Sequence, residues 1–546
     1  MSASRRPLTG LAGAAAMIAG ITVLSRVLGF VRLLLLAAAV GSVAIADAYN
    51  SANVLPNVLF EIAAGGALAG AVVPLLAGPI ARGSRAEIDR TASGALGWTL
   101  LVLVPLAALL AACSGLIARW LGHGDPALVD AVRFFVLVFS LQVPMYGVAV
   151  LLYAVLQSHR RFFWPAFAPV LFSLVLIATY LVYGAMADGE RSDPSALPHG
   201  ALSVLAWGTT LGVAAMCLPM FWPVRALGVR LRPTLHFPPG VATRLRTLAL
   251  AGVGSVAAQQ IALVVVLAAS SWAVAGKGTY TAFMFTQQVY LLPYAVLVVP
   301  LATSTFPRLA QRASRGDRAG FASMAAVTTR GVVVAAACGV AAVVAAAVAI
   351  GTIFAAIAHD PGLAPRMADG LVWMMPGLIG FAALFHGSRS LYALERGRAA
   401  VIANVVGWGV FAVFVVVLVP AQVPGDDAVT SIAAASSIGM LVGGTTALVA
   451  LRRAAGPGAL AGLARTGAVL TVATVAGSVV GRWVGDVVQD VAGGSAMTGV
   501  GAALGAGVVA AGTVLGAVAL FDRGTVTGIL RAERERVLDG GSRPVG

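Results

Sequence analysis

Lysine is all but missing from these 546 residues: Lys277 is the only one, and arginine fills the rest of the 36 basic positions. Charge of either sign is scarce, at 10% of residues against 59% apolar. That balance excludes a soluble globule of this length, which could not cover itself with so little polar surface. Cysteine is scarce too. Cys113, Cys217 and Cys338 stand far apart inside apolar runs, which excludes a disulfide framework and a zinc site. Alternation with a period of two is missing, which excludes a membrane β-barrel. Catalytic signatures are missing as well: no nucleophile-elbow serine, no phosphate loop beyond the fragment Ala275-Gly276-Lys277-Gly278, and no paired histidines among the six. Neither an enzyme nor a cofactor is indicated, and no metal site.

What remains is a set of apolar runs of membrane-crossing length. They lie at about 14–41, 47–80, 92–115, 129–157, 161–187, 199–222, 240–275, 278–305, 325–356, 366–394, 399–420, 428–453, 462–485 and 496–521. A bilayer core takes about 20 apolar residues per helix and leaves no water for backbone polar groups, so these read as about fourteen transmembrane helices of an all-α protein. The start, Ser4-Arg5-Arg6 before an apolar stretch, imitates an export signal but reads as an uncleaved first span.

The formal charge of +15 reports orientation rather than a nucleic-acid partner. With the N-terminus inside, the inner segments collect the arginines: Arg5 and Arg6, then Arg82, Arg85 and Arg90, Arg160 and Arg161, and those at 225–246, 308–330, 396–398, 452–465 and in the tail. The outer segments hold only Arg119, Arg133, Arg191, Lys277, Arg366 and Arg482, with acids such as Asp188, Glu190, Asp193, Asp426 and Asp427. An even number of spans returns both termini to the cytoplasmic side.

Two stretches echo each other. Leu152-Tyr153-Ala154 with Arg160 after it resembles Leu391-Tyr392-Ala393 with Arg396 and Arg398, and Leu55-Pro56 with Pro74 resembles Leu292-Pro293 with Pro307. Six spans separate the copies, which predicts two six-helix lobes in parallel pseudo-repeat. The expected divisions are 1–225 for spans 1–6, 226–455 for spans 7–12, 456–525 for two appended spans, and 526–546 for a cytoplasmic tail whose Arg531–Arg536 stretch reads as a solvated helix.

Arg26 and Arg32 fall within span 1, where a charged side chain costs roughly 2.5 to 3.5 kcal/mol on the gentlest scale. Such residues face a protein interior or a watery cavity. Six residues apart, they point about 120° from one another on an ideal helix, so one cavity must be broad to hold both. The competing readings are that Arg32 snorkels outward and that Arg26 pairs with Asp47 or Glu61. Asp47 reads equally as a helix cap or a substrate contact, and Glu61 as an internal ion pair or a coupling group. Gln287 and Gln288 in span 8, like Gln259 and Gln260 in span 7, are either ligand contacts or interhelical glue. Pro56, Pro144, Pro293 and Pro376 mark expected bends.

The series Leu24-Ser25-Arg26-Val27-Leu28-Gly29-Phe30-Val31-Arg32, Gly41, Asp47-Ala48-Tyr49, Leu55-Pro56-Asn57, Gly66-Ala67-Leu68 and Val73-Pro74 resembles the N-terminal signature of the MurJ/MviN family. Its members, within the wider group of multidrug and polysaccharide exporters, move lipid II from the inner to the outer leaflet of the bacterial cytoplasmic membrane. The resemblance implies fourteen spans and a cationic central cavity, with a groove partly formed by the last two spans. It implies that Arg26 and Arg32 contact the pyrophosphate, that Asp47 is the acid of the outer gate, and that Asn57 belongs to the substrate site. A lipid-linked pyrophosphate glycan is then the substrate, membrane lipid the surrounding partner, and cell-wall synthesis proteins are candidate partners.

The sequence departs from that pattern at Phe60-Glu61, where members carry two basic residues, at Gly65 for a Glu, at Leu33 for an Asp, and at Gln287-Gln288 for an Asp-Arg pair. Recognition therefore falls more heavily on Arg26 and Arg32. The sodium-binding carboxylates of spans 7 and 11 have no counterpart, Asn404 being the nearest. The alternatives are an exporter of another lipid-linked glycan or of drugs, a prenyl-linked glycosyl- or phosphotransferase using the acids at 188–193, and a non-transporting scaffold for cell-wall assembly.

Overall fold

A computed structural model describes residues 11–190, 193–237, 241–272, 275–421, 427–492 and 496–528; within them, the side chains of 11–16, 18–19, 64–71, 241–253, 490–492 and 496–498 are not described. The expectations for the N-terminal arginines, Arg191, Asp426 and the Arg531–Arg536 tail lie outside the described residues. Among the described residues there are helices and no strands, as an apolar chain in lipid requires.

Each expected span has its helix. In the first half α1 is Leu11–Val40, α2 Ala44–Phe60, α3 Gly66–Ala81, α4 Arg85–Ala112, α5 Ser114–Leu121, α6 Pro126–Ser140, α7 Gln142–Ser158, α8 Phe163–Ala187, α9 Ala201–Cys217 and α10 Phe221–Ala226. In the second, α11 is Val241–Ser270, α12 Thr279–Pro293, α13 Val299–Ser314, α14 Arg318–Ala358, α15 Leu363–Met374, α16 Gly377–Ala393, α17 Gly397–Leu418, α18 Ala428–Ala455, α19 Leu463–Ala492 and α20 Ala496–Phe521. Eleven described helices are long and apolar enough to cross a membrane, and α15 with α16, bent by 47°, makes a twelfth. The runs at 47–80 and 240–275 complete the fourteen as α2–α3 and α11, which contain the undescribed side chains. This is a multi-pass membrane protein.

The order of elements repeats. A π-helical turn, Glu61–Gly65, joins α2 to α3, and another, Tyr294–Val298, joins α12 to α13. The next helices begin at Arg85 and Arg318, and the spans after those break in the middle, between α6 and α7 and between α15 and α16. The two broken spans even end alike: Arg161 N donates to Leu156 O at 2.8 Å and Arg396 N to Leu391 O at 2.9 Å, with Arg160 and Glu395 left-handed. This is the helix-terminating motif that satisfies orphan carbonyls. It pairs Leu156 with Leu391, one helical turn away from the pairing by the Leu-Tyr-Ala echo.

By internal contacts the chain divides into two compact units, residues 1–260 with 357–359, and 261–356 with 360–546. In the first, Tyr49, Phe135 and Phe139 form a buried aromatic centre, Tyr49 meeting both rings edge-on at 5.7 and 5.8 Å. In the second, small residues let helices touch backbone to backbone. A Cβ at Gly444 would lie 2.3 Å from Gly380 O, and one at Gly439 2.5 Å from Phe411 Cβ, so α18 is seated against α16 and α17 by the absence of side chains. Where Pro376 breaks the tenth span, Ser437 of α18 supplies the missing partners. Its Oγ accepts from Gly377 N at 2.9 Å and donates to Trp373 O at 2.6 Å. The last two helices pack on α14 through Val333, Ala337 and Ala341 against Leu470, Ala506, Ala510 and Val514.

Candidate functional site

The site residues expected in the first unit all sit on α1, α2 and the π-turn. α1 runs unbroken through Gly29 and carries both arginines. It rests on α8, where a Cβ at Gly184 would stand 3.2 Å from Ala39 Cβ. Arg32 is half-buried, its guanidinium 4.8 Å from the centre of the Phe172 ring on α8. That is cation–π distance. Arg32 thus rests on an aromatic face of α8. Arg26 is exposed and makes no ion pair among the described residues, so the pairing with Asp47 or Glu61 is not found.

Asp47 is buried in the first turn of α2, but Val43 occupies the capping position, so Asp47 is not the helix cap. Its Oδ2 lies 3.9 Å from His123 Nε2. Tyr49, two residues on, is anchored by its hydroxyl at 3.0 Å from Tyr180 and 2.8 Å from Thr209. These bonds lock the first half of α2 to α8 and α9. Asn57 is half-buried, and its carbonyl accepts the N–H of Glu61, the first residue of the π-turn. Glu61 is half-buried with no ion-pair partner among the described residues. The π-turn adds one residue to the helical turn and so changes which face the following residues present, a device frequent at functional sites.

In the second unit, α12 carries Gln287 half-buried and Gln288 exposed, neither with a hydrogen-bond partner among the described residues. Asn404 is used structurally: its Nδ2 donates to Ser388 Oγ at 3.1 Å and to Ala400 O at 2.9 Å. Arg389 donates to Thr303 at 3.1 Å and lies 4.4 Å over Phe385. No group of three or more His, Cys, Asp or Glu among the described residues could hold a metal ion. Sequence reasoning missed Phe172, Tyr180, Thr209 and His123, because each reaches the site across more than 70 residues of chain. Only Tyr49, next to Asp47, carried a local signal.

Charged residues on a membrane-crossing helix, a repeated six-span order and breaks in matching spans define a multi-pass helical membrane protein. The chain belongs to the lipid II flippase MurJ family, whose model matches residues 36–500. That match covers Asp47, Asn57, Glu61, Gln287 and Gln288 and begins four residues beyond Arg32. Among curated proteins, the chain is 32% identical over 310 residues to a probable lipid II flippase MurJ of Rhizobium meliloti, covering 55% of each. It is 29% identical over 318 residues to a lipid II flippase MurJ of Burkholderia cenocepacia, covering 54% of this chain and 56% of that one. The chain thus spans about half the length of the curated relatives it matches. Among solved structures, a lipid II flippase MurJ in an inward closed conformation superposes with a TM-score of 0.72 at 18% identity, over 94% of this chain and all of that one. An inward-facing MATE family transporter of the MOP superfamily gives 0.64 at 14% identity, over 78% and 94%.

Proposed function

We propose that this chain moves lipid II, a polyprenyl-pyrophosphate-linked glycan, from the inner to the outer leaflet of a bacterial cytoplasmic membrane by alternating access of its two lobes. The observation that carries this reading is the family match across 36–500, joined to an exposed arginine and a half-buried one along α1. Arg26, with no competing carboxylate, and Arg32, held by Phe172, are the pyrophosphate contacts. Asn57, Glu61, Gln287 and Gln288 offer the neutral and acidic groups that a sugar and peptide headgroup would hydrogen-bond. Asp47, beside His123, is the acid of the outer gate. The lobes run over 1–225 and 226–455, with 456–525 appended, and the repeated π-turns and broken spans support that division.

No bond is made or broken. The headgroup is carried across by the protein while the prenyl tail stays in lipid. An inside-negative potential favours outward transit of an anion by roughly 2.3 kcal/mol per charge per 100 mV. The arginine asymmetry of the loops supports placing both termini in the cytoplasm.

The test is outer-leaflet exposure of lipid II in cells depleted of their own flippase and supplied with this chain or its Arg26→Ala variant. Rescue by the unaltered chain and failure by a stably expressed variant are expected. Failure of both would move the reading to another lipid-linked glycan.

A further inference from the structure

We propose that the first unit carries a second lipid site, separate from α1, that takes an anionic glycerophospholipid from the arginine-rich leaflet. It does not depend on the flippase reading. A cavity of about 950 Å³ opens between α4, α7, α10 and the extended segment that follows α10. Arg85, Arg225, Arg230 and Arg232 line it, over an apolar floor that includes Leu96 and Phe221. None of the four guanidinium groups has an ion-pair partner among the described residues. Glu87 is taken by Arg82 at 2.9 Å, and Asp89 accepts the backbone N–H of Arg230 at 3.0 Å. Four guanidinium groups around one cavity, none of them ion-paired among the described residues and with Asp89 the one carboxylate held on the segment's backbone, leave an excess of positive charge that calls for an anion.

The wall is built rather than incidental. Ser93 of α4 accepts from Arg232 N at 3.0 Å and donates to Arg230 O at 3.2 Å, and Trp98 Nε1 donates to Leu235 O at 3.1 Å. Gly97 lets the segment lie on the helix backbone, since a Cβ there would be 2.1 Å from Thr234 O. All these contacts on the segment's side use its backbone, which leaves its arginine side chains free.

The anion should be a lipid because the cavity continues into an apolar groove. Leu100 and Pro233 line both this cavity and a second of about 450 Å³, which runs along α4 past Leu101, Val104 and Pro105. Trp98, bonded to Leu235 of the groove wall, is exposed beside it, the residue type that marks headgroup depth. Headgroup phosphate among the arginines and one acyl chain along α4 fit this sequence of surfaces. Among anionic lipids, glycerophospholipids are favoured by mass action, being the bulk of the bilayer.

The experiment is native mass spectrometry of the full chain released from nanodiscs, titrated with dioleoylphosphatidylglycerol or dioleoylphosphatidylcholine. Retention of phosphatidylglycerol over phosphatidylcholine is expected, and Arg225→Gln with Arg232→Gln should weaken it about thirtyfold, as two interfacial charges are lost. Arg160→Gln with Arg161→Gln, on the same face but outside the cavity, should change it less than twofold. Val104→Trp keeps all four arginines, fills the groove, and should weaken retention at least fivefold even if the arginine variant does not fold. Equal retention of the two lipids, an equal loss in the Arg160/Arg161 variant, or no effect of Val104→Trp would overturn the proposal. So would full displacement by millimolar glycerol phosphate, which needs no acyl chain, or by undecaprenyl pyrophosphate below the phosphatidylglycerol concentration.

Discussion

The Arg32 guanidinium sits 4.8 Å from the centre of the Phe172 ring, so a residue of α1 is oriented by one 140 positions later in the chain. A planar cation held on a ring face keeps its N–H edge available to a second anion. Replacing Phe172 by Leu should leave the protein folded and lower lipid II exposure several-fold, since the contact is worth about 0.5–2 kcal/mol. Arg32→Lys, which keeps charge but not planarity, should fall between the native chain and Arg32→Ala in the same assay.

Arg26 differs in being exposed and unpaired among the described residues. Its removal to Ala should change thermal stability by less than about 0.5 kcal/mol, as for surface sites in general. Transport should nonetheless be lost. A melting-temperature measurement beside the exposure assay separates a binding role from a structural one, and a matched fall in both would count against binding.

Ser437 meets three backbone groups freed by the break at Pro376, namely Gly377 N, Trp373 O and Met374 O. Ser437→Ala should cost about 1–3 kcal/mol, because Gly377 N and Met374 O are buried and would lose their hydroxyl partner. Chemical denaturation in detergent would read this as a lower midpoint. Ser437→Thr should recover much of it if the methyl group is accommodated.

Asp522, just past α20, ties the last two helices to α14. It accepts from Thr466 at 2.5 Å and Thr525 at 2.6 Å, while Arg330 donates to Thr525 at 3.0 Å. Burial alone would raise its pKa, but these hydrogen bonds and the Arg330 charge outweigh it and hold the carboxyl below its ordinary value. A depressed folded pKa contributes stability that is present above the unfolded pKa and lost as pH falls through the folded one. Thermal stability should therefore be insensitive to this group between pH 7 and about 5 and fall below about 4. Asp522→Asn should lower stability at pH 7 and flatten the acid limb. An unchanged limb would assign acid sensitivity elsewhere.

The fourteen spans and the repeat were legible because lipid imposes simple demands: length and apolarity each act over a contiguous segment. Arg26, Arg32 and Glu61 stood out for the same reason, as charges where lipid tolerates few. The register of the repeat was less legible. Leu-Tyr-Ala recurs in both broken spans, but the helix ends align Leu156 with Leu391, and a low-complexity apolar helix gives sequence comparison little to fix one turn against the next. Asp47 was misjudged in part. Its place at the start of α2 imitates a cap, and only backbone dihedrals put Val43 there instead.

By itself the sequence determined that this chain is helical, crosses the membrane many times and carries charge along its first span, because the bilayer acts on each segment separately. Tertiary structure alone decided which neighbours those charges meet. Phe172 beneath Arg32, His123 beside Asp47 and Ser437 in the gap at Pro376 come from segments far apart in the chain, and no local rule of composition or periodicity brings them together. Close approach of backbones at glycine, ring contacts and hydrogen bonds between helices select those partners, and they act only once the helices pack.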